Sequence, residues 1–186
     1  MTVDRIRVDS AKLESLVAAY FEHLGMSPEH ARISANTLVD SDLRGHESHG
    51  VSNFIRVLYA PGLKDGTINP RGNPHIVHET STTARWDADG AMGHAAGELA
   101  MADAIERARQ HGSGFATVRN SRHYGMAQHF SMMALPHDMI GFSMTVGGLG
   151  VSVTGGRGRC TSRDKARARR HHWGRGLAMM PKPVAS

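Results

Sequence analysis

The chain has little of several features that define other classes of protein. Its 186 residues include one cysteine, Cys160, so no disulfide can form within the chain and a reducing compartment is expected. No apolar run approaches the ~20 residues that a membrane-spanning helix needs. Met1–Ser10 alternates charged and apolar residues and has no apolar signal-peptide core. We therefore expect a cytoplasmic protein.

Positive charge is present in excess but is unevenly distributed. The net charge is +5, yet residues 160–186 hold seven of the 22 Lys and Arg residues and only one of the 17 acids. The rest of the chain is then nearly neutral, with 15 basic and 16 acidic residues. A basic arm could bind nucleic-acid phosphates. Because the tail has dense arginine and no apolar periodicity, a frameshifted or disordered segment is favoured over a binding arm.

The apolar pattern predicts alternating helices and strands. A hydrophobic content of 40% and 21 glycines are typical of a globular protein with many turns. Ser10 is predicted to cap a first helix that stops at Gly25, and Ser27-Pro28 to begin a second that runs to about Leu43. The order of elements predicts a mixed α/β protein. The further predicted elements are a short helix at Val51–Tyr59 closed by Pro61-Gly62, a β-hairpin of His75–His78 and Thr82–Asp87, a helix at Gly97–Gln110, a strand at Phe115–Val118, a helix at about Met126–Leu135 and a strand at Met139–Val146.

The first segment that could carry chemistry is Asp42–Val51, which holds two histidines, two acids, Arg44 and Ser48 between glycines. A histidine suits a reaction in which a hydroxyl proton is removed or returned, since its pKa lies near neutrality. Arginine is the cation best suited to hold a substrate carboxylate, because it binds with two parallel hydrogen bonds. On residue types alone, a capped polar turn is the plainer interpretation.

The second segment is Val118–Gly125, which leaves a predicted strand and enters a predicted helix. Loops at the carboxyl ends of strands commonly line ligand crevices, so His123 is a candidate acid or base there. A capped loop with a surface histidine is the alternative. A zinc site of His46, His49 and His123 has the ligand types but lacks a short paired spacing, so no metal is predicted.

Two glycine-rich runs form a third, weaker candidate. Gly147–Gly150 and Gly155–Arg159 could cradle phosphates through backbone N–H groups. Neither run matches the dinucleotide fingerprint or the P-loop. A flexible loop is the favoured interpretation.

Taken together, these segments resemble the malate/L-lactate dehydrogenase family of the non-Rossmann type, which includes ureidoglycolate, sulfolactate and diketogulonate reductases. The resemblance covers roughly residues 5–159. It is carried by pieces that follow one another in the family's order: Asp42–Gly45 with Ser48–Val51, Gly66–Pro70, Asp87–Gly90, an alanine-rich helix, Val118–Ser121 with His123–Gly125, Ile140–Thr145 and Gly155–Arg157.

The resemblance implies roles for individual residues. Ser48 and His49 are expected in the substrate pocket, with His49 a candidate proton donor or acceptor. His123 is expected beside the nicotinamide, with Asn120 also in the cofactor site, and is a competing candidate for the same proton. Asn53 stands where many members have an arginine, so Arg56, together with Arg44, is the candidate for binding the substrate carboxylate.

The resemblance also implies a fold, a cofactor and a partner. It predicts a helical segment over residues 1–72 and, over residues 73–159, part of a mixed-sheet α/β domain of the sulfolactate-dehydrogenase-like type, incomplete at its C-terminus. The function implied is hydride transfer between NAD or NADP and a small 2-hydroxy or 2-oxo acid, in a homodimer. A truncated or frameshifted chain is expected to bind the cofactor weakly. The alternatives are an inactive or partner-docking fragment, or nucleic-acid binding through residues 160–186.

Overall fold

The computed structural model describes residues 7–145 and the strand Arg175–Pro181. Within them the protein is a mixed α/β structure, as the sequence predicts, with helices at the beginning and a five-stranded sheet after them. None of the helices in this described part combines the length and the apolar character that crossing a membrane requires. Cys160, Val146 and both glycine-rich runs lie outside the described residues.

Two helices packed against each other open the structure, α1 (Ser10–His23) and α2 (Pro28–Leu43). The cap of α1 is Asp9, which accepts a hydrogen bond from the Lys12 N–H, so the prediction of Ser10 as the cap is wrong by one residue. An ionised carboxylate accepts this bond better than a hydroxyl and also favours the positive end of the helix. Ser27 caps α2 as predicted.

The segment that follows α2 is helical but irregular. A 3₁₀ turn (Glu47–His49) leads into α3 (Val51–Phe54), a π-helical stretch (Ile55–Tyr59) and α4 (Ala60–Lys64). The prediction that Pro61-Gly62 closes this helix is therefore wrong. Proline disrupts the interior of a helix because it lacks an N–H and because its ring clashes with a carbonyl of the preceding turn. Here Pro61 occupies the first turn of α4, the part of a helix that tolerates proline.

The predicted hairpin is confirmed as β1 (His75–Glu79) paired antiparallel with β2 (Thr83–Asp87). Helix α5 (Gly93–His111) then crosses over to β3 (Gly114–Arg119), which pairs parallel with β2. This helix begins four residues before the predicted start. A Cβ at Gly93 would lie 2.4 Å from the Arg122 carbonyl oxygen. Close packing therefore requires a glycine within the helix, although glycine by itself suggests a position before the helix begins.

The second half of the sheet contains the largest departure from prediction. Helix α6 (Ala127–Met132) is shorter than predicted and a 3₁₀ turn (Leu135–His137) follows it, before β4 (Met139–Ser143). The sheet order is β1-β2-β3-β5-β4, and β5 (Arg175–Pro181) pairs antiparallel with both neighbours. The sequence predicts no strand within residues 160–186. The segment is rich in arginine and its apolar run, Leu177–Met180, is short, so the sequence pattern does not indicate a strand.

Two clusters of buried side chains hold the structure together. One lies between the sheet and helices α5 and α6, and it includes Met101, Val118 and Phe130. The other lies among the first helices and includes Phe21, Leu38 and Tyr59. Met92, directly before α5, belongs to this second cluster. The start of α5 is therefore packed between the two layers, and this is where the candidate site lies.

Candidate functional site

The loop that carries Ser48 and His49 is fixed at its end by Asp42. The Val51 N–H donates to Asp42 Oδ2 at 2.9 Å, which satisfies one of the free donors at the start of α3. A Cβ at Gly50 would lie 1.7 Å from Asp42 Oδ1, so only glycine fits there. Burial raises the pKa of Asp42, and the nearby Glu47 adds to that rise, while the bond from Val51 opposes it. The two pieces Asp42–Gly45 and Ser48–Val51 thus form one folded unit.

His49 lies half-buried at the end of this loop. Its Nδ1 is 2.9 Å from Ser48 Oγ, and its ring lies edge-on to Phe54 with the centroids 5.2 Å apart. Burial lowers the pKa of His49, and the positive charge available at His46 lowers it further. A histidine of this kind is neutral at pH 7 and exchanges a proton easily.

The structure brings His49 and His123 together from distant parts of the chain. Their rings are stacked, with centroids 5.7 Å apart and an interplanar angle of 24°. Phe54 packs against the His123 ring at 4.5 Å. The convergence of these two imidazoles is what the sequence predicts. Because two positive charges so close would repel each other, the pair favours states in which at most one ring is protonated.

His123 lies on the loop between β3 and α6, where two hydrogen-bonding groups reach one of its ring nitrogens. Nδ1 is 2.7 Å from the Tyr59 hydroxyl and accepts a hydrogen bond from the Gly125 N–H at 3.3 Å. Gly125 has a φ of +77°, a conformation that suits glycine. The loop backbone therefore sets the orientation of the ring.

Behind His123 lies a second, fully buried histidine. His94, in the first turn of α5, has no exposed surface, and its Nε2 is 3.2 Å from the Tyr59 hydroxyl. Burial holds the pKa of His94 well below its usual range, and the neighbouring His123 and His129 act in the same direction. His94 is therefore neutral, and Tyr59 links it to His123.

A cavity of about 240 Å³ opens beside His123. Its walls are largely apolar, and Arg122 and Asp65 supply the charges. Arg122 Nε donates to the Thr67 carbonyl oxygen. This bond holds the guanidinium against the segment Gly66–Pro70. The residues that line the cavity are Val57, Leu58, Pro61, Gly62, Asp65, Thr67, Ile68, Arg122 and His123.

The other predicted site residues lie around this centre in different ways. Arg56 is exposed on the π-helical stretch between Phe54 and Tyr59. Asn120 is exposed, has a φ of +52° and donates from its side chain to Asp87 Oδ1 at 3.1 Å. Arg44 forms a 2.8 Å ion pair with Asp40 and lines a groove between α1, α2 and α6 that includes neither His49 nor His123.

Sequence reasoning missed Tyr59 and His94. The sequence places Tyr59 only at the end of a short helix, and His94 before the predicted start of α5. A signal for His94 does exist: it is the one polar residue in the run Ala91–Gly97, and such a run of small residues indicates close packing. No pattern in the sequence shows that Tyr59 and His94 meet.

The described residues contain no group of three or more histidine, cysteine, aspartate or glutamate side chains arranged to hold a metal ion. His46, the third member of the alternative zinc site, is exposed on the loop before the 3₁₀ turn. Its proximity lowers the pKa of His49 through space, because a charge on one imidazole disfavours a charge on the other. The histidines of the site thus interact with hydroxyl groups, aromatic rings and one another.

Comparison with known proteins places this arrangement in a family context. Residues 8–164 match the family model described as malate/L-lactate dehydrogenase. The chain is 38% identical over 143 residues to malate/(S)-sulfolactate dehydrogenase of Methanothermus fervidus, a match that covers 77% of this chain and 42% of that protein. It is 41% identical over 151 residues to malate dehydrogenase of Pyrococcus abyssi, covering 81% and 41%.

Solved structures agree with the sequence matches. Malate dehydrogenase from Pyrococcus horikoshii OT3 superposes with a TM-score of 0.74 at 38% identity, over 81% of this chain and 43% of that one. Sulfolactate dehydrogenase from Methanocaldococcus jannaschii gives a TM-score of 0.75 at 34% identity, over 83% and 44%. In each case the chain spans less than half the length of the protein it matches.

Proposed function

Given that the chain belongs to the malate/L-lactate dehydrogenase family, we propose that it acts as an oxidoreductase. The reaction is the transfer of a hydride between NAD or NADP and a small 2-hydroxy or 2-oxo acid of the malate or lactate type. The observation that carries this proposal is the stacking of His49 on His123 beside a small, largely apolar cavity. A pocket of that kind with a few convergent polar groups suits a small substrate.

In this proposal the nicotinamide supplies or accepts the hydride. The cavity supports the binding of one end of the cofactor: at about 240 Å³ it is smaller than the roughly 300–1,000 Å³ typical of pockets for drug-sized ligands. It accommodates a ring or a small acid and not a whole dinucleotide. His123 and Asn120 are the residues of this chain that we assign to the cofactor end.

We assign the removal and return of the substrate hydroxyl proton to the histidine pair. A neutral His49 that donates from Nδ1 to Ser48 Oγ presents a bare Nε2, which can take the proton during oxidation of the hydroxy acid. When His49 is protonated, Nε2–H can return it during reduction of the oxo acid. The lowered pKa of His49 favours the neutral form at pH 7, so both directions lie within reach.

The substrate carboxylate requires a cation near the pair. Arg56, exposed on the π-helical stretch, is the first candidate, and Arg122 is supported by its place on the cavity wall. Arg44 is a weaker candidate because it is paired with Asp40 on another groove.

The proposal also includes a homodimer. The apolar side chains Ile140 and Phe142 on β4 are exposed, and contact with a second chain would remove them from water.

Binding of a small acid to the histidine pair tests the proposal directly. In NMR spectra of the full chain, (S)-malate or L-lactate should shift the ring signals of His49 and His123 and leave those of His78, exposed on β1, unchanged.

NADH and NADPH should bind weakly in calorimetry, because the cavity accommodates one end of the cofactor and not the whole dinucleotide. Micromolar affinity for either cofactor would contradict this expectation. Where turnover is measurable, His49→Gln should lower kcat by about 10²–10⁴-fold. If neither ring responds to any acid or to either cofactor, the proposed function is wrong.

A further inference from the structure

Tyr59 and His94 form a chain of hydrogen bonds behind the candidate site. The Tyr59 hydroxyl lies between His123 Nδ1, at 2.7 Å, and His94 Nε2, at 3.2 Å. Tyr59 and His94 are buried, whereas His123 is only half-buried and reaches the cavity. A hydroxyl between two imidazoles can donate to either one, so the direction of the chain has to be derived from its two ends.

At the His123 end, the backbone decides the direction. The Gly125 N–H donates to His123 Nδ1 at 3.3 Å, so this nitrogen presents a lone pair. A proton on Nδ1 would point two donors at each other. The Tyr59 hydroxyl therefore also donates to Nδ1, and the proton of a neutral His123 resides on Nε2.

At the His94 end, burial leads to the same direction. With its proton donated to His123, the Tyr59 oxygen accepts from His94, which then carries its proton on Nε2. Within the described part of the chain His94 Nδ1 is buried and meets no hydrogen-bonding partner. A buried N–H without a partner costs more than a buried lone pair, so a bare Nδ1 is the cheaper state.

We propose that His94 and Tyr59 are positioning residues that lock His123 as the neutral tautomer with its proton on Nε2. His123 then offers an N–H as a fixed hydrogen-bond donor and does not take up a proton during the reaction. This assignment rests on the proposed function for its catalytic meaning, and it resolves the competition between the two histidines. His123 holds the substrate oxygen through Nε2–H, while His49, which lies against Ser48, exchanges the proton.

The opposite arrangement is a proton relay, in which His123 Nδ1–H donates to Tyr59 and Tyr59 donates to His94. It would place the Gly125 N–H against a second N–H. It would also leave a buried Nδ1–H on His94 without an acceptor among the described residues. The two arrangements predict opposite tautomers for both histidines, so a single spectroscopic measurement separates them.

Long-range ¹H–¹⁵N NMR of the ring nitrogens of the full chain, at a pH where the histidines are neutral, provides that measurement. Signals are assigned by their loss in His123→Gln and His94→Gln. We expect the pattern of a proton on Nε2 for both rings. Tyr59→Phe removes the shorter bond to His123 Nδ1, of 2.7 Å, and keeps the longer one from Gly125, of 3.3 Å. The His123 signals should therefore move part of the way towards a mixture of the two tautomers, whereas Tyr20→Phe, on the partly exposed face of α1, should leave them unchanged. A proton on Nδ1 of His123 in the unmodified chain, or an unchanged tautomer in folded Tyr59→Phe, overturns the proposal.

A second pair of variants separates the hydrogen bond from packing. Gln at position 94 can place an amide N–H where His94 Nε2–H lies, whereas Met fills a similar volume and donates nothing. His94→Gln should keep the wild-type tautomer ratio of His123. In His94→Met no donor at position 94 orients the Tyr59 hydroxyl, so a minor population of His123 with its proton on Nδ1 should appear, although the bond from Gly125 remains. Identical spectra for the two variants contradict the assignment. Because these readouts need no substrate or cofactor, they stay informative if the test of the proposed function fails. Where turnover is measurable, Tyr59→Phe should lower kcat with little change in KM.

Discussion

Gly125 illustrates how closely single residues are constrained around His94. Its backbone has a φ of +77°, and a Cβ there would lie 2.7 Å from His94 Nε2. Its N–H also donates to His123. One residue thus adopts an unusual conformation, leaves room for a buried histidine and orients a second one. Such combined demands explain why glycine is needed at this position.

We therefore expect Gly125→Ala to lower the free energy of unfolding by more than the roughly 1–3 kcal/mol that a non-glycine residue with a positive φ costs. Gly112→Ala is the matched control, since Gly112 has a φ of +82° but a Cβ added there would meet nothing within 4 Å. Urea denaturation of both variants measures the difference. Equal losses in the two would show that the contact with His94 contributes nothing.

At the scale of secondary structure, β5 has a role that its sequence does not reveal. It is the only link between β3 and β4 within the described sheet, and it forms a ladder of hydrogen bonds with each of them. Ala178 is opposite both Phe115 and Phe142. A segment that is rich in arginine therefore supplies an internal strand of the described sheet.

Proline at position 178 tests this role. Ala178→Pro should lower the free energy of unfolding by about 1–3 kcal/mol, because it removes a donor and leaves a carbonyl in the sheet without its partner. Val77→Pro is the control. Val77 lies at an irregularity of the edge strand β1, between the paired residues Ile76 and His78, and has no partner of its own in the register with β2. Proline is tolerated at such positions. If the two variants are equally stable, the pairing of β5 does not hold the sheet together.

The elements that can be predicted from the sequence are those whose signals are local. Ser27-Pro28 begins α2 because serine caps a helix and proline suits its first turn, and the short β-prone runs on both sides of Glu79-Thr80-Ser81 indicate the hairpin. The π-helical stretch is not predictable, because it preserves the helical pattern and changes only the hydrogen-bond spacing. In the candidate site, motifs predict His49 and His123, whereas Tyr59 and His94 come together only through packing between the π-helical stretch and α5.

At the scale of the whole molecule, the buried His94 and the half-buried His129 join the first helices to the α/β layer. His94 meets Tyr59 across this junction, and His129 on α6 is 2.9 Å from Asp40 on α2. Burial lowers the pKa of His129, but the carboxylates of Glu98 and Asp40 outweigh it and the pKa is raised overall. The two histidines therefore respond to acid in opposite ways.

Their opposite shifts predict an opposing dependence of stability on pH. His94 has a lowered pKa when folded, so the unfolded chain binds the proton first, and stability is lost as the pH falls below about 6.5. His129 has a raised pKa, so its contribution is complete below about 6.5 and is lost as the pH rises through the folded value. Urea denaturation across this range should show a weaker acid loss in His94→Gln and a weaker alkaline loss in His129→Gln than in the unmodified chain. Parallel curves for all three proteins would contradict both assignments.

The position of β5 between β3 and β4 also sets an order for biosynthesis. A nascent chain can pair β1, β2 and β3 as soon as α5 has crossed over, because these strands are consecutive. β4 leaves the ribosome before β5, and among the strands that the structure describes β5 is the one with which it pairs. Because domains generally fold as units, the sheet can be completed only when β5 inserts between β3 and β4, and β5 is the last of these five strands to be synthesised.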